Sequence, residues 1–275
     1  MLLGIDIGGT TISLGLIEGG KIVRSECVSS FPAGASQAET IDYLTENIRK
    51  IFTPAVDAIG IGVPSVVDVE KGIVYDACNI PSWDEVHLKE ELEGRFGIPV
   101  SVNNDSNCFA LGAAHSLEQP AKVVTGITLG TGTGVGVVLD GKLFSGPNCG
   151  VGELGSVPYN GSIFEAFCSK QFFENRGWNG KAASDAAKRG EEAALEMFRE
   201  FGRHMGEFLA LVMYAYDPDC IILGGGLANS FDLFRDSMME TLSKRYIYPN
   251  SLRRLRVMAM TQENLALLGA SLLGI

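Results

Sequence analysis

The chain opens on Leu2-Leu3-Gly4-Ile5-Asp6-Ile7-Gly8-Gly9-Thr10-Thr11-Ile12-Ser13-Leu14-Gly15-Leu16-Ile17, an apolar run, a Gly/Thr turn and a second apolar run. Such a pattern reads as two strands joined in a hairpin. Residues 125–142 echo it, with Thr125-Gly126-Ile127-Thr128-Leu129 before Gly130-Thr131-Gly132 and Thr133-Gly134-Val135-Gly136-Val137-Val138-Leu139 after it. The echo is structural rather than a close sequence repeat. It implies two α/β lobes, each offering a Gly/Thr loop, which together would clamp one polyphosphate. Gly8 and Gly9 let a ligand approach the main chain closely. Their amides, with the hydroxyls of Thr10 and Thr11, would donate to phosphate oxygens, and Asp6 would hold a water on Mg²⁺. Taken singly, the first stretch has a plainer alternative, an ordinary hairpin with a glycine turn.

The intervening sequence fits alternating strands and helices. Lys21-Ile22-Val23 leads towards Cys27-Val28 as a third strand. Ser36-Gln37-Ala38-Glu39 has capping-box spacing, and Ile41, Leu44, Ile48 and Ile51 follow at helical intervals. Ala58 to Val63 is a buried strand that stops at Pro64. Asp76 to Trp83 is a polar loop with an aromatic, and Glu85 to Phe96 reads as a helix ended by Gly97 and Pro99. Val100-Ser101-Val102 runs into Asn103-Asn104-Asp105-Ser106-Asn107, after which the pattern turns helical. Asp105 therefore sits at a strand-to-helix junction, where residues of α/β folds face the ligand crevice.

Gly150 to Ser156 is a glycine-rich loop carrying one acid, Glu153. A helix is expected from Ile163 to Phe173, with Glu165 near its start. A longer one should run from about Asp185 to Tyr216 and bury Leu195, Phe198, Met205, Phe208, Leu209 and Val212. Cys220 to Leu223 is a buried strand, and Gly224-Gly225-Gly226 is a third glycine loop at a strand end. Glu263 to Leu273 closes the chain as an apolar helix. These elements divide into an N-terminal α/β lobe over residues 1–103, completed by the C-terminal helix 262–275, and a C-terminal α/β lobe over 104–261.

Composition narrows the function. A formal charge of −11 argues against a general nucleic-acid binder. The basic group Lys244, Arg245, Arg253, Arg254 and Arg256 reads as a solvated face. No run reaches the twenty or so apolar residues of a membrane span, and no signal-peptide pattern follows Met1. The six cysteines contain no C-x-x-C pair, as expected of reduced thiols in a cytoplasmic protein. His87, His115 and His204 lack metal-ligand spacing and read as structural.

Together these stretches resemble the ROK family of repressors and sugar kinases, within the actin, hexokinase and Hsp70 superfamily. The resemblance implies a two-lobed ribonuclease H-like fold with a nucleotide and sugar cleft between the lobes. Asp6-Ile7-Gly8-Gly9-Thr10 is similar to the family's first phosphate loop and Leu129-Gly130-Thr131-Gly132 to its second. Gly224-Gly225-Gly226 resembles the loop lying against adenosine. Asn104-Asp105 matches the pair whose acid is the catalytic base. Asn79, with Trp83 behind it, resembles the sugar-binding loop; Pro64, Asn104, Asp105, Glu153 and Glu165 complete the sugar-binding set that the resemblance implies.

Two departures stand out. Family members usually carry His at the position of Ser156, followed by a cysteine-rich zinc segment. Here Val157 to Glu165 lacks those cysteines, and Ile163 stands in place of the last ligand. The expectation is therefore no structural zinc, while Glu165-Ala166-Phe167 still resembles the close of the motif.

The expected reaction is transfer of the γ-phosphoryl of ATP to a hexose hydroxyl, the 6-OH of glucose or a related sugar. Asp105 would serve as general base, and the loops with Mg²⁺ would supply alignment and charge neutralisation. A kinase for an amino sugar such as N-acetylmannosamine is an alternative, as is a silent sugar sensor of the same fold. The family's repressors carry a helix-turn-helix before the first strand; this sequence begins at that strand and keeps Asp105. An actin-like or chaperone ATPase would have no reason for the Asn104-Asp105 pair. The resemblance further implies a homodimer. Asp105 as a mere helix cap is the plain alternative to its catalytic reading, and an Asn there would cap equally well.

Overall fold

A computed structural model describes residues 1–77, 80–146 and 149–274. The chain divides into two compact units, Met1–Glu118 with Gly141–Val151 and Gln262–Ile275, and Gln119–Asp140 with Gly152–Thr261. The division thus falls after Glu118 and not between residues 103 and 104. The helix that begins at Asp105 stays with the first unit because it packs on the final helix, Leu265–Ser271.

In the first unit, the strands run in the order Lys21–Ser29, Thr11–Glu18, Leu2–Ile7, Ala58–Val63 and Val100–Asn104. The leading hairpin is antiparallel, with Gly4 opposite Gly15, while Ala58–Val63 joins Leu2–Ile7 in parallel, with Gly60 opposite Gly4. Register therefore lines three glycines across one face of the sheet. A Cβ on Gly4 would lie 2.2 Å from the carbonyl oxygen of Leu267, and one on Gly60 would lie 1.7 Å from that of Ala270. The final helix touches bare sheet backbone there. Gly269 meets Asp105–His115 in the same way, its absent Cβ falling 1.7 Å from the Cys108 carbonyl oxygen. These glycines look like weak points for strand and helix propensity, yet they are what allows the close approach.

Helix Gln37–Ile51 starts at the expected capping box, with Ser36 and Glu39 each bonded to the other's backbone or side chain. It buries Ile41, Leu44, Ile48 and Ile51. Trp83 is fully enclosed, and its indole donates to Thr40 Oγ1 at 2.7 Å, which pins its loop to this helix. Two expectations change here. Glu85–Val86 is a strand of a small sheet with Val66–Asp68 and Ile73–Tyr75, and the helix begins only at Leu88. Gly97 ends that helix at φ 69°.

In the second unit the strands Thr133–Leu139, Val123–Leu129, Cys220–Gly224 and Arg256–Ala259 lie side by side in that order. The hairpin is antiparallel, and the later strands join it in parallel. The long helix is in fact two, Gly180–Lys188 and Glu192–Tyr216, because Gly190 at φ 86° breaks the run. Glu192–Tyr216 packs on Phe231–Arg245 through Gly202 and Gly206, whose absent side chains leave room for the Phe234 and Met238 carbonyls. The expected helix from Ile163 to Phe173 is also two short helices, Glu165–Cys168 and Gln171–Glu174.

Candidate active site

In the first unit, Asp6 lies near the end of its strand, paired across to Ser13 and Gly62. Asp105 is the first residue of the helix that follows Val100–Asn104. Topology brings the two acids together because Ala58–Val63 is the single strand between theirs. Burial, with the negative charge of Asp105 added, pushes the Asp6 carboxyl up to about 7. Beneath them, the buried Cys108 thiol is held well above its usual value by burial and by both acids.

The helix cap is Asn104. Its Oδ1 accepts from the amides of Ser106 at 2.9 Å and Asn107 at 3.4 Å, and its Nδ2 donates to the Ser65 carbonyl at 3.2 Å. Asp105 Oδ1 also accepts from the Ser106 amide, at 2.7 Å. Asn104, expected to touch sugar, thus has its amide group engaged by the fold. Pro64 stands between the strands Ala58–Val63 and Val66–Asp68. Asn79 lies outside the described residues.

The first Gly/Thr loop differs in detail from expectation. The Gly8 amide donates to the Thr11 carbonyl at 2.8 Å, closing the turn, so it is not offered to a ligand. Gly9, Thr10 and Thr11 are exposed. The Gly8 carbonyl accepts from Ser30 Oγ and that of Thr10 from the Ser30 amide, tying the turn to the third strand.

In the second unit the corresponding loop is closed by the Gly130 amide on the Gly132 carbonyl at 3.0 Å, with Thr131 exposed. Glu165 reaches this loop: its Oε2 accepts from the Thr133 amide at 2.9 Å, and a Cβ on Gly132 would fall 2.3 Å from the same oxygen. Glu153 begins a short 3₁₀ turn, Glu153–Ser156. It follows Gly152, whose φ of 99° and contact with the Val135 carbonyl exclude any side chain. Desolvation, and then the charge of Glu165, raises the Glu153 carboxyl above its ordinary value. Gly224 ends a buried strand, Gly225 sits at φ 82° against Leu129, and Gly226 opens the turn Gly226–Ser230. Beside that turn a cavity of about 480 Å³ is lined by Ala228, Asn229, Phe231, Asp232, Arg235 and Met258, among others.

Between Glu153 and Glu165, the hairpin Pro158–Tyr159 and Ser162–Ile163 is anchored by aromatic rings. Tyr159 stacks on Phe164 at 4.1 Å between centroids and meets Phe167 edge-on. Its hydroxyl lies 3.0 Å from His204 Nδ1 on the long helix. Sequence reasoning left His204 as merely structural and did not single out Tyr159. The one signal available is the cluster of aromatics in Tyr159-x₄-Phe164-x₂-Phe167, in the stretch that lacks the cysteines of the zinc segment.

The chain matches the ROK family over residues 2–275. An N-acetyl-D-glucosamine kinase of Vibrio cholerae is 32% identical over 278 residues, which cover 90% of this chain and 91% of that protein. A glucokinase of Thermotoga maritima is 28% identical over 305 residues, covering 98% of this chain and 96% of that one. Among solved structures, a ROK family glucokinase from Streptomyces griseus, determined with glucose and AMPPNP, superposes with a TM-score of 0.81. It is 28% identical, with 99% of this chain and 98% of that chain covered.

Proposed function

The chain belongs to the ROK family, and we propose on that basis that it is an ATP-dependent carbohydrate kinase which phosphorylates a hexose on its 6-OH. The observation that carries the reading is the placement of Asp6 and Asp105 at the ends of two strands of one sheet with a single strand between them, within a chain that matches sugar kinases along almost its whole length.

Asp105 is the general base. It accepts the hydroxyl proton and orients that oxygen towards the phosphorus, a task for which an ordinary carboxylate suffices because proton transfer comes late in a loose transition state. Glu153 and Glu165 are sugar ligands, as carboxylates matched to vicinal hydroxyls, with Pro64 and Asn79 in the same role. Gly9, Thr10, Thr11 and Thr131 serve the phosphates, and Gly224 to Gly226 the adenosine. The hard oxygen donor of Asp6 suits Mg²⁺ held through water. A carboxyl driven up to about 7 by burial and a second acid marks a place short of positive charge, which a divalent cation would relieve. The cation, when bound, would neutralise charge on the phosphoryl oxygens.

The protein acts in the cytoplasm as a homodimer in this reading. Among the described residues no helix is long and apolar enough to cross a membrane, and Cys27, Cys108, Cys168 and Cys220 carry free thiols. ADP release from Mg²⁺-ATP against a panel of hexoses and N-acetylated amino sugars tests the reading. One sugar should stimulate turnover; sugar binding with no turnover for any of them would make the protein a sensor.

A further inference from the structure

Asn103 Oδ1 gathers three donors beneath the turn that presents Asp105. They are the amide of Asn104 at 2.9 Å, Nδ2 of Asn107 at 2.9 Å and Sγ of Cys149 at 3.2 Å. Asn107 Nδ2 also lies 3.8 Å from that sulfur. Two of the three donors belong to the turn itself. Cys149 alone comes from a segment distant in sequence, 46 residues away.

The backbone of Cys149 is unusual. Its φ is 53°, in the left-handed region that favours glycine, and its side chain is 3% exposed and packed with the first unit's core. A non-glycine residue in this region is strained and persists only where its surroundings compensate. Gly150 and Gly152 follow close by in the sequence, so the chain uses glycine freely here. Glycine at 149 would hold this backbone with less strain but would carry no thiol. A thiol is a weak hydrogen-bond donor, yet here it has an amide oxygen directly in reach.

We infer that Cys149 is a positioning residue: its thiol, through Asn103, holds the Asn104-Asp105 turn in the orientation that turnover requires. The inference rests on the reading of Asp105 as the base. Because Asn104 caps the helix and its amide is bound by the same Asn103 oxygen, loss of the thiol donor loosens the turn without unfolding the helix. Misplacement of a catalytic group by a fraction of an ångström is felt in turnover more than in substrate affinity.

The test compares Cys149→Gly, Cys149→Ser and Asp105→Asn with the unaltered protein. In Cys149→Gly, kcat should fall about tenfold while KM for ATP and sugar stays within about twofold. Its Tm should change little, since relief of the backbone offsets the lost burial of the side chain. Cys149→Ser keeps a donor and should recover most of the turnover. Hydrogen exchange at the Asn104 amide should quicken in Cys149→Gly and not in Cys149→Ser. Unchanged kcat in the Gly variant overturns the inference, and so does a Ser variant no better than Gly. If Asp105→Asn turns over normally, the assignment of the base fails instead, and exchange at Asn104 then decides by itself whether Cys149 holds this turn.

Discussion

Glu165 Oε2 accepts the Thr133 amide at 2.9 Å, so an acid proposed to bind sugar also holds the second Gly/Thr loop in shape. Gly132 lacks a side chain where that carboxylate sits. Gly132→Ala should therefore push Glu165 aside and raise KM for both substrates by about tenfold or more. Glu165→Ala should do the same, and the double variant should lose little beyond either single change because the two act on one contact. Fully additive losses in steady-state kinetics would show that the contact is not what matters.

Asp6 gives a prediction for the ligand-free protein. Its folded-state value of about 7 lies above the ordinary 3.8, so its stability contribution is fully present below 3.8 and is lost as pH rises through 7. Asp6→Asn should raise Tm by a few degrees at pH 8 and leave it almost unchanged at pH 4. The same variant should weaken Mg²⁺ activation about tenfold. Thermal melts at the two pH values check the sign, and a lower Tm at pH 8 would refute it.

His204 works in the opposite direction. Burial holds its imidazole below the usual 6.5, against a smaller upward pull from Glu200. Stability tied to the neutral ring is therefore present above 6.5 and lost as pH falls towards the folded-state value. His204→Gln should flatten the fall in Tm between pH 7 and pH 5, whereas parallel curves for the two proteins would remove His204 from the account.

Gly60 tests the packing of the final helix. A methyl group there would meet the Ala270 carbonyl oxygen at 1.7 Å, and backbone cannot yield as a side-chain end can. Gly60→Ala should cost about 3 kcal/mol or more in urea unfolding, although Ala is the better former of regular structure. Gly94, whose Cβ would meet nothing nearby, serves as the control and should tolerate Ala.

Much of this was readable in the residues. Apolar runs on either side of a Gly/Thr turn gave both hairpins, and Ser36 with Glu39 gave a helix start that the structure reproduces bond for bond. Asp105 was placed at its junction by the change from strand to helix periodicity. What could not be read depended on contacts far apart in sequence. The glycine stripe acquires meaning only once Leu265–Ser271 lies on it, and the boundary after Glu118 follows from the same contact. Asp105 is the residue the sequence offers as a plain helix cap, whereas Asn104 takes that place; both residue types cap well, and only backbone geometry separates them. The Gly8 amide reads as a ligand donor from the sequence because turn closure leaves no mark in composition. Gly190 lies inside an otherwise helical pattern, so the sequence reads as one helix where the structure has two.

The most direct measurement is the rate of ADP release with the preferred sugar for the unaltered protein and Asp105→Asn side by side. Asn104 keeps its own hydrogen bonds to the amides of Ser106 and Asn107, so the variant should fold with nearly unchanged Tm. Its kcat should fall by about 10²–10⁴-fold, with KM for ATP little altered. A variant that folds and turns over at the normal rate would contradict the assignment of Asp105 as the base.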